Sequence, residues 1–230
     1  GGGADIVIAG LDHDNIRSEQ GNDTVLGDNG HAVFTEESTL VDILTLAPTV
    51  GDDDTIYAHE GNDVVLGGAA SDTIFTYDID SFTASEIGED DIVVGDNGHV
   101  TFENDGSIET FATTDANTGD TDTIYTGNGS DIIAGGDSGD TIYARVYFTT
   151  SDTSDTGPRE TTDNNTDTGR DIVLGDNGKA TFDSAGTLRD FISTDYDVDN
   201  ATTGNFQDTI ITGGGADIVI AGLDHDNIRS

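Results

Sequence analysis

Gly1–Ser18 reads GGGADIVIAGLDHDNIRS, and the same eighteen residues return unchanged as Gly213–Ser230. The chain therefore holds one unit of a 212-residue repeat and the start of the next. Within the opening stretch Asp5 and Asp14 are nine residues apart, and Asp23 follows nine later. Two residues beyond each stands an apolar β-branched side chain: Val7, Ile16 and Val25. A fixed short period inside a long one is the mark of a repeat architecture, in which each unit buries its apolar face only against its neighbours.

The nine-residue ladder continues along the chain. Asp54, Asp63 and Asp72 precede Ile56, Val65 and Ile74; Asp122, Asp131 and Asp140 precede Ile124, Ile133 and Ile142. Asp208, Asp217 and Asp226 precede Ile210, Val219 and Ile228, while Asp91 with Val93 and Asp171 with Val173 stand alone. Glycines crowd ahead of the aspartates, where positive φ or a sharp turn carries no steric cost. Each nonad is thus predicted to be a tight turn followed by a short strand whose middle residue points inward.

A second signature, GDNG, occupies 27–30, 95–98 and 175–178. Phe34, Phe102 and Phe182 follow it, each nine residues after Val25, Val93 or Val173, so the ladder is expected to persist there with a larger inward residue. Asp28, Asp96 and Asp176 lie in these turns and are candidates to replace the missing ladder aspartate. The GDNG spacing divides the long repeat into three sub-repeats, 21–88, 89–168 and 169–230, within one continuous solenoid over 1–230. After each Phe come a polar turn and a second apolar segment, predicting a hairpin that projects sideways. Two further excursions, 77–88 and 145–169, are rich in Ser, Thr, Asp and Asn and are predicted to be surface loops.

Composition narrows the function. There are 47 acidic residues against 7 basic, a net charge of -40, so a compact state repels itself unless cations are bound. Nucleic acid and anionic membranes are poor partners for such a surface. Cys is absent, which removes disulfides, thiolate catalysis and cysteine metal sites. No apolar run approaches the roughly 18 residues of a membrane span, so no membrane insertion is expected. The period argues for order that depends on counter-ions.

The turns GADIV, GNDTV, GNDVV and GGDSGDTI resemble the nonapeptide GGxGxDxUx of the RTX (repeats-in-toxin) proteins, a calcium-binding parallel β-helix repeat. The resemblance implies an all-β, parallel β-roll with two nonads per turn and several Ca2+ ions between stacked turns, held by aspartates and backbone carbonyls. Aspartates eighteen apart would then share an edge: Asp5 with Asp23, Asp54 with Asp72, Asp122 with Asp140, and Asp208 with Asp226. Asp14, Asp63, Asp131 and Asp217 would fall on the opposite edge, and Asp91 and Asp171 complete the set. Carboxylates about 5 Å apart repel by roughly 3 kcal/mol at an effective dielectric of about 20, a sign that a hard divalent ion with oxygen ligands reverses. The sequence departs from the family pattern where Asp12, Asp52, Ala70, Asp120 and Phe206 take glycine positions.

Other chemistries find little support. The GDSG at 136–139 looks like a serine-protease nucleophile segment, but Ser138 falls inside a nonad turn with no accompanying triad order. His13, His31, His59, His99 and His225 lie in or beside turns. Sequons opened by Asn22, Asn128, Asn164 and Asn200 are expected by chance in so Asn- and Thr-rich a chain. The residue after each ladder aspartate alternates among Ile, Asn, Thr and Val, so no flat threonine file of the ice-binding kind forms. The expected protein is no enzyme. It is a structural repeat of a giant secreted or cell-surface protein, a calcium-rigidified extender, stalk or extracellular filament whose partners are further tandem copies, with lateral or end-to-end self-association. The alternative is a calcium-dependent secretion and folding module of an RTX enzyme or toxin. Fifteen nonads per repeat, GDNG included, predict about seven and a half coils and an axial advance of roughly 36 Å, or about eight coils or more where the excursions hide extra strands.

Overall fold

The computed structural model describes residues 1–77, 89–145, 167–194 and 206–230. The two excursions expected as surface loops lie almost wholly outside these residues, as do Asn164 and Asn200. Twenty strands and no helix occur among the described residues, so no helix there is long and apolar enough to cross a membrane. Numbered along the chain, the first sheet contains β1 (Ile6–Ile8), β3 (Thr24–Leu26), β7 (Val64–Leu66), β9 (Ile92–Val94), β13 (Ile132–Gly136), β15 (Ile172–Asp176) and β19 (Ile218–Ile220). The second contains β2 (Asn15–Arg17), β6 (Thr55–Tyr57), β8 (Thr73–Phe75), β12 (Thr123–Tyr125), β14 (Thr141–Tyr143), β18 (Thr209–Ile211) and β20 (Asn227–Arg229). Both are parallel throughout, with the ladder residues paired in register, as Val7 with Val25 and Val65 or Ile16 with Ile56 and Ile74.

Each of the fourteen ladder aspartates sits directly before one of these fourteen strands. The chain alternates between the two sheets, so two nonads make one coil of a parallel β-solenoid. The second residue of each strand turns inward, and Val25, Ile56, Val65, Ile74, Val93 and their successors form one dry column between the sheets. Twelve of the fourteen strands are only three residues long, because the alternation of side chains leaves one inward position before the next turn.

The third sheet holds three hairpins: β4 (Gly30–Phe34) with β5 (Leu40–Thr45), β10 (Gly98–Phe102) with β11 (Ile108–Thr113), and β16 (Gly178–Phe182) with β17 (Leu188–Ser193). They do not project sideways. They pair edge to edge in the order β17-β16-β11-β10-β5-β4, antiparallel throughout, and lie over the outer face of the first sheet. Ile43, Val100, Phe111 and Ala180 face Leu26, Leu66, Val94 and Leu174 across a second apolar layer. The first sheet is therefore covered on both sides, which is why its strands read ThrValLeu, ValValLeu and IleValVal where the second reads ThrIleTyr. A different cover lies on the second sheet, where Tyr57, Phe75, Tyr125 and Tyr143 stack one above another with centroids 4.8 to 5.1 Å apart.

These hairpins correct the coil count. Phe34, Phe102 and Phe182 end the antiparallel strands β4, β10 and β16, and Phe102 and Phe182 pack in the outer layer, so the nine-residue spacing that links the three to Val25, Val93 and Val173 is not a rung of the solenoid. Without the three GDNG nonads one repeat contains six coils, and at about 4.8 Å per rung it advances about 29 Å. The count is integral, with Asp5 and Asp217 before strands of the first sheet and Asp14 and Asp226 before strands of the second.

Candidate metal centre: two files of stacked aspartates

The alternation of sheets sorts the aspartates into two files along opposite edges. Asp5, Asp23, Asp63, Asp91, Asp131, Asp171 and Asp217 open the first-sheet strands, and Asp14, Asp54, Asp72, Asp122, Asp140, Asp208 and Asp226 open the second-sheet strands. Each pair eighteen apart does share a file. Asp14, however, belongs with Asp54 and Asp72, not with Asp63, because the GDNG hairpin between Asp23 and Asp54 consumes chain without adding a rung.

One carboxylate oxygen has a fixed task in both files. The Asp5 N–H donates to Asp23 Oδ1 at 2.8 Å, Asp23 to Asp63 at 2.8 Å, and Asp63 to Asp91 at 2.8 Å. The second file repeats this from Asp14 to Asp54 at 2.8 Å, Asp54 to Asp72 at 2.7 Å and Asp72 to Asp122 at 2.7 Å. The main-chain carbonyl of each aspartate accepts from the next rung, as Thr24 N–H to Asp5 O. The result ties each coil to the next and leaves Oδ2 over.

Those remaining oxygens are buried. Oδ2 of Asp54, Asp72, Asp122, Asp140 and Asp208 in the second file, and of Asp23, Asp63 and Asp171 in the first, have no hydrogen-bond partner. In the second file each faces a gap kept open by a glycine. A Cβ on Gly67 would stand 2.4 Å from Asp72 Oδ2 and 2.1 Å from the Gly95 carbonyl oxygen of the next coil. On Gly135 it would stand 2.0 Å from Asp140 Oδ2 and 2.4 Å from the Gly175 carbonyl, and Gly27, Gly95 and Gly175 repeat the arrangement. The carbonyls of Gly67, Gly95, Gly135 and Ala221 each accept a main-chain N–H at 3.0 to 3.2 Å, but no donor reaches the Oδ2 atoms, and a buried carboxylate oxygen facing a carbonyl is costly until a cation enters. Hard oxygen ligands of this mixed carboxylate and carbonyl kind fit Ca2+. Among the described residues no three His, Cys, Asp or Glu side chains converge on one point, in keeping with gaps that offer one carboxylate and a main-chain carbonyl each.

Burial is the main force on the protonation of these groups. It pushes Asp72 up to about 9, against the N–H that Asp54 donates and with repulsion from Asp54 and Asp28. Burial likewise lifts Asp171 to about 9, Asp63 to about 8, Asp208 to about 7 and Asp54 to about 6. Asp122 and Asp140 rise too, burial first, with Asp96 and Asp140 repelling Asp122 and Asp208 repelling Asp140.

The GDNG carboxylates have a different first task. Asp28 Oδ2 accepts the Ala69 N–H at 2.7 Å, Asp96 accepts from Asp137 at 2.6 Å and Asp120 at 3.2 Å, and Asp176 accepts from Leu223. Each braces the glycine turn of the following coil while adding negative charge beside the second file. The sequence reading missed Asp167, which is buried, accepts the Gly169 N–H at 2.9 Å and leaves Oδ2 unmatched beside the first file. It lies four residues before Asp171, off the nine-residue register, in a stretch where aspartates are too common to stand out. Ser138 takes φ 77° in a nonad turn, Asn128 is buried, and His99 Nε2 lies 3.2 Å from Asp42 in the outer sheet.

Fold and site together define a parallel β-solenoid with rows of metal-ready carboxylates. A model of the RTX calcium-binding nonapeptide repeat matches the chain in four copies, at 1–33, 50–76, 117–145 and 193–228, just over half its length. The chain belongs to this family, whose repeats bind Ca2+ at multiple sites. The hairpin of β10 and β11 lies wholly in an unmatched stretch, as do β5, β16 and all but the last residue of β17. No curated protein and no solved structure matches the chain significantly.

Proposed function

We propose that this chain is a unit of a calcium-rigidified extender, a rod in a giant secreted or cell-surface protein that holds other domains away from a surface. Calcium enters the gaps where Oδ2 of Asp54, Asp72, Asp122, Asp140 and Asp208 faces the carbonyls of Gly67, Gly95, Gly135, Gly175 and Ala221, and the gaps beside Asp23, Asp63 and Asp171. Asp28, Asp96 and Asp176 brace the turns between.

The observation that carries the reading is phase. The 212-residue repeat closes on six rungs, so the duplicated nonads return to the same two files, Asp5 with Asp217 and Asp14 with Asp226. The hairpins keep the same phase: they leave β3, β9 and β15, every second coil of the first sheet, and each adds two strands to the outer sheet. Two coils and two antiparallel strands both advance about 9.6 Å. A further copy joined in tandem would extend all three sheets without a step, and its own β4 would pair with β17 as β10 pairs with β5 and β16 with β11. A solenoid of this kind lengthens by addition.

Electron micrographs of a chain of four repeats in calcium test this. The expected image is one straight rod that lengthens by about 29 Å per repeat; separate beads about 60 Å or more apart would mean independent domains on linkers and would overturn the extender.

A further inference from the structure

The two edges do not treat Oδ2 alike. On the edge where the chain passes from the first sheet to the second, the residue two after the inward side chain is glycine at Gly27, Gly67, Gly95, Gly135 and Gly175, and the gap beside Oδ2 stays open. On the other edge the equivalent residue, two after the inward Ile, is Ser18, Ala58, Thr76, Thr126, Ala144 or Thr212. Its identity matches the state of the next first-file carboxylate. Thr76 Oγ1 donates to Asp91 Oδ2 at 2.5 Å, Thr126 to Asp131 at 2.5 Å and Thr212 to Asp217 at 2.8 Å. Thr76 also lies 3.1 Å from the Thr126 carbonyl, a longer contact than the one to Asp91. Ala58 and Ala144 offer no donor, and Oδ2 of Asp63 and Asp171 is left buried and unmatched. Ser18 carries a hydroxyl but donates it to the Ala58 carbonyl at 3.1 Å, and Oδ2 of Asp23 is left unmatched as well.

We propose that Thr76, Thr126 and Thr212 stand in for calcium, closing the first-file positions of Asp91, Asp131 and Asp217 and leaving metal binding on that edge to Asp23, Asp63 and Asp171. A threonine hydroxyl supplies one proton donor where a cation would otherwise meet the carboxylate, and its side chain occupies the space that glycine keeps free on the opposite edge. The stack therefore mixes coils tied on both edges by metal with coils tied by metal on one edge and by a hydroxyl on the other, the first file running metal at Asp23 and Asp63, hydroxyl at Asp91 and Asp131, metal at Asp171 and hydroxyl at Asp217. The second kind needs fewer ions and holds one of its edges when calcium is scarce. This proposal rests on the assignment of calcium to the open gaps.

The test is the number of calcium ions bound per chain at saturation, by equilibrium dialysis of the full 230-residue protein. Thr126→Ala removes the hydroxyl and empties its space, and it is expected to raise the count by one. Thr126→Val removes the hydroxyl and keeps the bulk, and it should leave the count unchanged while lowering the melting temperature at saturating calcium. Ala58→Thr should lower the count by one. Thr212→Ala repeats the first change in the last coil, where a loss of local order leaves the remaining coils standing. If Thr126→Ala and Thr212→Ala leave the count unchanged, or lower it because the hydroxyl is itself a calcium ligand, the substitution of hydroxyl for metal is wrong. Asp140→Asn separates the two readings: it should lower the count by one whatever the threonines do, and an unchanged count there would overturn the assignment of calcium to the open gaps.

Discussion

Ladder aspartates are placed where their charge is unwelcome without a cation, and this fixes the direction of the pH response. Asp72, Asp171, Asp63 and Asp208 have folded values of about 9, 9, 8 and 7, raised first by burial, against about 3.9 in an unfolded chain. Between about pH 4 and 9 the folded, metal-free protein therefore binds more protons than the unfolded one, and its stability falls as pH rises through that window. In the metal-free protein the β signal in circular dichroism, lost at pH 8, should be partly recovered when the pH is lowered to 5. With calcium present the sign reverses, because protons compete for the same oxygens and half-saturation should need more calcium at pH 5 than at pH 8. Metal-free protein that gains no β signal at any pH between 8 and 5 would contradict the burial of bare carboxylates. At this scale the sequence was informative about the aspartates and silent about their partners. The nine-residue register places all fourteen ladder carboxylates at strand starts, but whether Oδ2 meets a threonine, a glycine gap or nothing depends on the neighbouring turn, and Thr76 and Ala58 look alike in a linear reading.

The hairpin is the element that sets the repeat's phase. Its turn closes with a left-handed residue, Ser38, Gly106 or Gly186, and a register shift at Val33/Phe34, Thr101/Phe102 or Thr181/Phe182, the expected form of a short loop with a bulge. The hairpins themselves were legible from GDNG, the polar turn and the second apolar run. Their destination was not, because Phe34, Phe102 and Phe182 fall on the nine-residue spacing by coincidence and the spacing alone cannot distinguish a parallel rung from an antiparallel return. What betrays the outer sheet is the first sheet's own composition: Leu26, Leu66 and Leu174 flank inward Val residues and would face water without a cover. Phe111 is fully buried between Val100 and Ala180, its neighbours on the two adjoining strands. Phe111→Ala should cost about 3 to 5 kcal/mol of stability. It should leave the calcium count unchanged, since the outer sheet touches neither file's open oxygens. Loss of bound calcium in parallel with the loss of stability would mean that the outer sheet shapes the metal gaps.

For the whole molecule the controlling quantity is charge. A net charge of -40 on 230 residues, with two rows of carboxylates along opposite edges, makes the compact form self-repelling. The dry column between the sheets and the outer apolar layer favour the same form, so the fold is balanced on whether cations occupy the edges. Because each coil contacts only its neighbours, calcium bound in one gap steadies the adjacent rungs and lowers the cost of ordering the next, which should make the transition cooperative in calcium. The most direct measurement is far-ultraviolet circular dichroism of the 230-residue chain at pH 7.5 as free calcium is raised from thorough EGTA chelation into the millimolar range. A disordered spectrum in EGTA that turns sharply into a β spectrum at millimolar or lower calcium is the predicted result; a β spectrum that persists unchanged under complete chelation would contradict it.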